Sequence, residues 1–233
     1  MVAGVSTPAG LCEVWWATLA DVRPEHVALL DEVERGRRER YLRTQDRDRF
    51  TLGVAVTRLV LGRLRDVPPE RVPLSRACTD CGKPHGRPVV AGGPHLSVSH
   101  SGDRVAVAFS TAGPVGVDVE AVRPLDEAIE RHVLAPSESL DETLDGGGML
   151  FYWTRKEAII KATGDGLRVS MTGITVSAPT EPPRLLAWPS RADLAARITL
   201  HSLDPGPGYF ACLALIDQPG AAVRERSAAA ILH

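Results

Sequence analysis

The chain has 233 residues, of which 44% are hydrophobic and 24% are charged, the balance of a chain that can bury a core of its own. Its net charge of -2 excludes a general electrostatic attraction to nucleic acid or to an anionic membrane. No apolar run approaches the roughly 20 residues of a membrane helix, the start lacks the basic residues of a signal peptide, and four scattered cysteines indicate no disulfide framework. We therefore expect a cytoplasmic protein with one large or two small domains.

The first part of the chain carries alternating strand and helix patterns. A strand is predicted over 13–19, and Pro24 marks a helical start because proline is favoured in a first turn. A longer helix is predicted over 45–65 from apolar residues at helical spacing. Two short strands are then predicted over 96–98 and 105–110, joined by a tight turn.

The same order of elements begins again after the Ala-Gly-Pro break at 112–114. The tripeptide Val-Arg-Pro follows the first predicted strand in both parts, at 22–24 and at 122–124. A three-residue match is also compatible with chance, so the shared order of elements carries the interpretation of an internal duplication. We expect an N-terminal half, 1–113, a C-terminal half, 114–225, and a tail, 226–233. The elements predicted in the second half are strands over 115–120, 174–176 and 209–216 and a helix over 150–163.

Two carboxylates are predicted to converge on the strand Gly-Val-Asp-Val-Glu at 116–120. Because side chains alternate along a strand, Asp118 and Glu120 share one face, about 7 Å apart, while the valines face the core. A solvated edge strand would also explain this pattern. Acidic residues are depleted in strands, however, and two carboxylates beside a glycine that permits close approach suit a hard cation.

A charged stripe is predicted on the helix that contains Trp153, Glu157 and Lys161, which lie at i, i+4 and i+8. An exposed Glu–Lys pair worth about 0.3–0.5 kcal/mol is the simpler explanation. The lysines are more informative, because the chain has 24 arginines and only three lysines, and Lys156 and Lys161 both lie in this helix. A compact ammonium can follow a phosphate oxygen in a way that a flat guanidinium cannot.

Three further features are typical of an anion site. His100 ends the run Ser-Val-Ser-His before a tight turn, and Arg87 stands in a Gly-Arg-Pro upstream of it. The segment 35–49, which includes Arg49, holds seven arginines against three acidic residues. Taken singly, these features are also explained by turn residues and a solvated helix face.

Together, in this order and spacing, the motifs resemble the larger 4′-phosphopantetheinyl transferases of the surfactin-synthetase-activating type. The resemblance rests on Gly-Arg-Pro before Ser-Val-Ser-His-Ser, on Gly-Val-Asp-Val-Glu and on Trp-x-x-Lys-Glu-Ala-x-x-Lys, which span about 87–167. It implies an α+β fold of two similar α/β halves related by a pseudo-twofold axis, with the site at their interface. It also implies a monomer, since the trimeric holo-acyl-carrier-protein synthases of the superfamily are half this length. Arg87 is a departure, because the family commonly has lysine there.

The activity implied by the resemblance is transfer of 4′-phosphopantetheine from coenzyme A to a serine of apo acyl or peptidyl carrier proteins, with release of adenosine 3′,5′-bisphosphate. Asp118, Glu120 and Glu157 would hold Mg²⁺, for which Mn²⁺ could substitute. Glu157, directly or through a metal-bound water, would accept the serine proton. Carrier proteins of fatty acid, polyketide and nonribosomal peptide synthesis all fit this reaction.

The basic residues would bind coenzyme A itself. Lys161, with Lys156 nearby, would neutralise the diphosphate and the leaving group. Arg49, Arg87 and His100 would hold the 3′-phosphate of adenosine, although neighbouring arginines of 35–49 could take the place of Arg49.

Three other interpretations stay open at the level of sequence. One is a Mg²⁺-dependent phosphohydrolase, which also needs three carboxylates but more often has His or Asp ligands for a second metal. Another is a non-catalytic regulator that binds coenzyme A or a nucleotide, for which an intact carboxylate set would be unnecessary. The last is a zinc module at Cys78, Cys81 and His85, where one Cys-x-x-Cys supplies half of a tetrahedral site.

Overall fold

The structure, a computed structural model, describes residues 10–77, 81–83, 86–123, 127–140, 144 and 148–233. Its helices are α1 (Glu32–Glu39), α2 (Thr44–Arg65), α3 (Glu127–Val133), α4 (Gly148–Thr163) and α5 (Ala229–Leu232). Its strands are β1 (Leu11–Thr18), β2 (Leu74–Ser75), β3 (Val89–Val90), β4 (His95–Ser101), β5 (Arg104–Ser110), β6 (Val115–Ala121), β7 (Thr175–Val176), β8 (Leu185–Ala187), β9 (Ile198–Ser202), β10 (Tyr209–Ile216) and β11 (Ala222–Ser227).

Two main sheets form the centre of the molecule. The first has the strand order β11-β1-β5-β4, in which β1 and β11 are parallel and the other pairs are antiparallel. The second has the order β6-β10-β9 and is antiparallel throughout. Two small two-stranded sheets, β2-β3 and β7-β8, lie outside them.

The two main sheets pack against each other between α2 and α4. The valines of β6 meet Ala106 and Ala108 of β5 in a buried layer between the sheets, as the alternation along β6 predicted. The opposite face of the first sheet packs on α2, and that of the second sheet packs on α4. This arrangement is a mixed α+β fold, and no helix among the described residues combines the length and apolar character needed to cross a bilayer.

Most of the predicted elements are confirmed within one or two residues. The helix expected over 45–65 is α2, and the strand expected over 209–216 is β10. The helical start at Pro24 leads only into a six-residue 3₁₀ segment, Pro24–Leu29.

Residues 226–233, which were expected to form a tail, belong to a strand and a helix in the layer of the first sheet. Strand β11 pairs in parallel with β1, and Ile231 and Leu232 are buried in the core under α2. This strand was not predicted because it contains three consecutive charged residues, Arg224, Glu225 and Arg226. They are exposed at the edge of the sheet and give no apolar alternation. The division at 113 stays a prediction.

The zinc site considered at Cys78, Cys81 and His85 cannot be compared with the structure as a whole. Cys78 and His85 lie outside the described residues. Cys12 and Cys212 are buried in the core, where burial raises the pKa of each thiol to about 12 and so disfavours a metal-binding thiolate.

Candidate functional site

A cleft of about 370 Å³ lies where α1, α2, β4, β6 and α4 meet. Both main sheets contribute an edge strand to it, β4 from the first and β6 from the second. The cleft brings together six side chains that the sequence predicted, namely Arg49, His100, Asp118, Glu120, Glu157 and Lys161.

Gly116 explains why α4 reaches this cleft. A methyl group at Gly116 would overlap the carbonyl oxygen of Ala158 and the backbone nitrogen of Ala162, so only glycine lets the helix backbone lie directly on β6. Gly116 shares a strand face with Asp118 and Glu120, which places the helix stripe of Trp153, Glu157 and Lys161 over the two carboxylates. The close approach expected at this glycine is therefore made by α4 and not by a cation.

Asp118 is the most buried carboxylate of the cleft, with 3% of its surface exposed. Its Oδ1 accepts hydrogen bonds from Ser99 Oγ at 2.8 Å and from Lys161 Nζ at 2.6 Å. Lys161 Nζ also donates to Ser99 Oγ at 2.9 Å. Asp118 Oδ2 is buried and makes no hydrogen bond to any described residue. A buried carboxylate oxygen without a partner is unfavourable, so this atom indicates a place for a ligand of positive charge.

The two glutamates on either side of Asp118 have raised pKa values. Burial, followed by the charge of Asp118, raises the pKa of Glu157, and Lys161 opposes this shift. Burial also raises the pKa of Glu120, while a hydrogen bond from Ser101 Oγ at 2.7 Å lowers it. A carboxylate that is more basic than usual is suited to accept a proton.

The other end of the cleft is basic. Arg49 donates to the carbonyl oxygen of Gly102 and pairs with Asp46 at 2.6 Å, so its guanidinium is held beside the β4-β5 turn. Desolvation in the cleft and then the charges of Arg49 and Lys161 lower the pKa of His100.

Two arginines that the sequence analysis did not single out, Arg37 and Arg76, also line the basic end. Arg37 Nη1 and Arg76 Nε are buried without a hydrogen-bond partner among the described residues. Burial and then the charge of Arg37 lower the pKa of Arg76 to about 10. Two mutually repelling guanidinium groups with unsatisfied donors favour an anionic ligand between them.

Lys156, which was predicted to lie near the phosphates, does not line the cleft. Lys156 Nζ is fully buried, where it pairs with Glu138 at 2.5 Å and donates to the carbonyl oxygens of Val133 and Met171. Five residues along a helix turn the side chain by about 140°, so Lys156 and Lys161 leave α4 on different sides. Lys156 therefore anchors α4 to the loop after α3.

Arg87 does not line the cleft. Its guanidinium borders Gly164, just after the end of α4, and its side chain is exposed. Its role toward an anion stays a prediction.

The three predicted metal ligands, Asp118, Glu120 and Glu157, all line the cleft, but their side chains are not arranged around one point. Within the described parts of the chain, no three His, Cys, Asp or Glu side chains are close enough to hold a metal ion. The charge that neutralises Asp118 here is the ammonium of Lys161.

Comparison with known proteins places the chain among relatives of one kind. A profile of the 4′-phosphopantetheinyl transferase superfamily matches residues 114–212. The chain is 34% identical to a protein of Synechocystis sp. that is provisionally named a 4′-phosphopantetheinyl transferase, over 62% of this chain and 61% of the relative. It is 31% identical to the 4′-phosphopantetheinyl transferase HetI of Nostoc sp., over 70% of this chain and 71% of HetI. It is 25% identical to the 4′-phosphopantetheinyl transferase Sfp of Bacillus subtilis, over 83% of this chain and 86% of Sfp.

Proposed function

Because the chain belongs to the 4′-phosphopantetheinyl transferase family, we propose that it transfers the 4′-phosphopantetheine group of coenzyme A to a serine of apo acyl or peptidyl carrier proteins. The observation that carries this proposal is the convergence of Asp118, Glu120, Glu157 and Lys161 in one cleft. The three carboxylates and the ammonium come from a strand and a helix of the second half, and the cleft is completed by basic residues of the first half.

Glu157 is the residue best suited to act as the base. In the reaction, the serine oxygen forms a bond to the phosphorus on the pantetheine side, and the bond to the adenosine-side phosphate oxygen breaks. The serine proton must go to a nearby acceptor, and the raised pKa of Glu157 makes it a stronger base than an exposed glutamate. Lys161, 28% exposed at the cleft, stabilises the charge that develops on the diphosphate and on the leaving group.

The basic end of the cleft binds the adenosine 3′-phosphate of coenzyme A. His100 and Arg49 were predicted for this role, and Arg37 and Arg76 bring unsatisfied donors to the same place. A phosphate dianion would relieve the repulsion between the two guanidinium groups. Arg87, whose guanidinium borders Gly164 just after α4, would contact the 3′-phosphate once the substrate is bound.

A hard divalent cation, Mg²⁺ or Mn²⁺, fits the donor chemistry of this site. Asp118 Oδ2 is a buried carboxylate oxygen without a partner among the described residues, and Glu120 and Glu157 supply further oxygens in the cleft. When bound, the ion would neutralise charge on the diphosphate. Asp118, Glu120 and Glu157 are the residues that would hold it, after side-chain movements that bring their carboxylates closer together than they lie in this structure.

The arrangement of helices and sheets supports two similar halves. Each half has an antiparallel core of strands with one long helix on its outer face, α2 or α4, and the two sheets meet at the molecular centre. We take these halves to be related by a pseudo-twofold axis, with the cleft between them. A single chain then completes the site, so it acts as a monomer.

The reaction is tested by incubating the protein with coenzyme A, Mg²⁺ and a panel of apo carrier domains. Intact-mass measurement should show each modified carrier gaining one phosphopantetheine group, and chromatography should show an equal amount of adenosine 3′,5′-bisphosphate. The Glu157→Gln variant, which keeps the size of the side chain, should bind coenzyme A and modify carriers at least about a hundredfold more slowly.

Two outcomes would contradict the proposal. Cleavage of coenzyme A without a modified carrier would identify a hydrolase, and tight binding of coenzyme A without any turnover over the whole panel would identify a regulator. The relatives described above are all named as transferases, so neither alternative is favoured.

A further inference from the structure

Serine hydroxyls of β4 join the two main sheets. Strand β4 is an edge of the first sheet, and β6 is an edge of the second. Three alternate residues of β4 are serines, and the Oγ of each accepts a hydrogen bond from one of three alternate backbone N–H groups of β6. The pairs are Ser97 with Val117 at 3.1 Å, Ser99 with Val119 at 3.3 Å, and Ser101 with Ala121 at 3.1 Å.

This geometry fixes the direction of the hydroxyl protons. A backbone N–H can only donate, so each serine oxygen must accept from it, and the single hydroxyl proton remains for another partner. For Ser99 and Ser101 that partner is the carboxylate of the neighbouring β6 residue: Ser99 donates to Asp118 Oδ1 and Ser101 donates to Glu120 Oε2. Ser97 lies opposite a part of β6 that carries no carboxylate, next to Gly116.

Ser101 and Ser99 differ in their access to the cleft. Ser99 lines the cleft and could touch a substrate directly, whereas Ser101 is not among the lining residues. An effect of Ser101 on the reaction is therefore indirect, either through Glu120 or through the contact between the two sheets. The bond to Ser101 occupies Oε2, which also lies 3.8 Å from Arg123 Nη2, and leaves Oε1 for a ligand in the cleft.

We propose that Ser101 is a positioning residue that holds the Glu120 carboxylate in its working orientation while it ties β6 to β4. The proposal rests on the transferase function proposed above and deepens it. One hydroxyl performs both tasks because its oxygen accepts a hydrogen bond from the backbone N–H of Ala121 and its proton is donated to the carboxylate of Glu120. The position of the acid is thus coupled directly to the contact between the two sheets.

Ser97→Ala is the matched control for Ser101→Ala. Both substitutions leave one backbone N–H of β6 without its acceptor, but only the second removes a hydrogen bond to a cleft carboxylate. Ser101→Thr retains the hydroxyl in a residue that is favoured in strands. Three quantities are measured for each variant: the thermal midpoint, kcat and KM for coenzyme A in carrier modification, and the dissociation constant of Mn²⁺ alone by electron paramagnetic resonance of the free ion.

We expect both alanine variants to lower the thermal midpoint, because each leaves a backbone N–H of β6 without its acceptor. Only Ser101→Ala should lower kcat, by about tenfold or more, and only this variant should weaken the binding of Mn²⁺, by about tenfold. Changes of this size are typical when a hydrogen-bond partner of a metal ligand is removed. KM for coenzyme A should change less than threefold, and Ser101→Thr should restore kcat to within about threefold of the wild type.

If Ser101→Ala matched Ser97→Ala in kcat and in Mn²⁺ binding, the serine would merely join the sheets and the proposal would be overturned. Failure of the threonine variant to rescue kcat while it restores the thermal midpoint would overturn it as well. A wild-type protein that modified no carrier would instead count against the transferase function, and the Mn²⁺ titration would still decide the role of Ser101.

Discussion

Among the single residues of the cleft, Asp118 is the carboxylate that pairs with the ammonium of Lys161. It is buried, it pairs with Lys161, and its second oxygen lacks a partner among the described residues. Replacing it with asparagine keeps the shape and an oxygen that can still accept from Ser99 and Lys161. We therefore expect Asp118→Asn to fold normally and to lose at least about a thousandfold in turnover, the effect of removing about 4 kcal/mol of transition-state stabilisation.

Carrier modification followed by intact mass, alongside a thermal melt without added metal, measures this effect. Asp193→Asn is a suitable control because Asp193 forms an exposed ion pair with Arg197, and such pairs contribute little. An Asp118→Asn protein that modified its carrier at nearly the wild-type rate would contradict the role of this carboxylate.

We expect His100 to make the binding of coenzyme A dependent on pH. Desolvation and the charges of Arg49 and Lys161 lower its pKa in the free protein, with Asp46 acting in the opposite sense. A phosphate dianion beside the ring favours the imidazolium and raises the pKa, so binding takes up a proton. Affinity for coenzyme A should therefore fall as the pH rises from the lowered free value through the higher bound value, within about pH 5 to 8.

Calorimetric titration of coenzyme A and of dephospho-coenzyme A, which lacks the 3′-phosphate, tests this assignment. His100→Ala should weaken coenzyme A about ten- to a hundredfold and remove the pH dependence. It should change the affinity for dephospho-coenzyme A only slightly. Equal losses with both ligands would show that His100 does not contact the 3′-phosphate.

The residues of the cleft differ in how well the sequence could predict them. Asp118, Glu120, Glu157 and Lys161 follow from strand and helix periodicity once each element is assigned. Arg76 carries no such signal, because it stands in a Pro- and Gly-rich stretch where no period applies. Ser99 could have been expected as a polar strand position, but its bond to Asp118 depends on how two sheets meet.

At the scale of elements, Gly116 determines how closely α4 approaches β6. A side chain there would collide with the helix backbone at Ala158 and Ala162, and neither strand nor helix can yield without disturbing the layers beyond it. We expect Gly116→Ala to reduce the free energy of unfolding by about 3 kcal/mol, the upper part of the overpacking range. It should also lower turnover, because Glu157 and Lys161 move away from Asp118.

Gly36→Ala is the comparison for this substitution. A methyl group at Gly36, in the middle of α1, meets no atom within 4 Å, so the change should stabilise the protein by about 0.5–1 kcal/mol through helix propensity. Urea denaturation of both variants gives the two free energies. A stable Gly116→Ala protein would mean that the contact between α4 and β6 is looser than the structure shows.

Elements with strong local signals were predicted well, and those fixed by distant contacts were not. The helical periodicity of the twenty-two residues of α2 predicts a helix, and the apolar composition of β10 predicts a strand. Strand β11 alternates charged residues at an exposed edge and forms because β1 offers a free edge more than 200 residues earlier in the chain. Such a pairing is tertiary, and no local pattern encodes it.

At the scale of the whole molecule, one chain supplies both sides of the cleft. Strand β4 and helix α2 come from the part of the chain before residue 114, whereas β6 and α4 come from the part after it. A second copy is not needed to complete the site, so we expect a monomer. Light scattering at micromolar concentration should give the mass of one chain, and a stable dimer or trimer would contradict this expectation.

The two halves should unfold as one unit, because they share the buried layer between the sheets and because β11 and α5 return to the first sheet. Leu232 is buried under α2, and Leu194 is buried in the core against α4. Either leucine replaced by alanine should lower stability by about 2–5 kcal/mol. In a single cooperative unit, Leu232→Ala must lower the hydrogen-exchange protection of α4 as much as that of α2. Leu194→Ala must likewise lower the protection of α2 as much as that of α4. Exchange measured by mass spectrometry on peptides from both helices distinguishes the cases: protection lost only in the helix beside each substitution would show two independently unfolding halves held together at the serine-linked junction of β4 and β6.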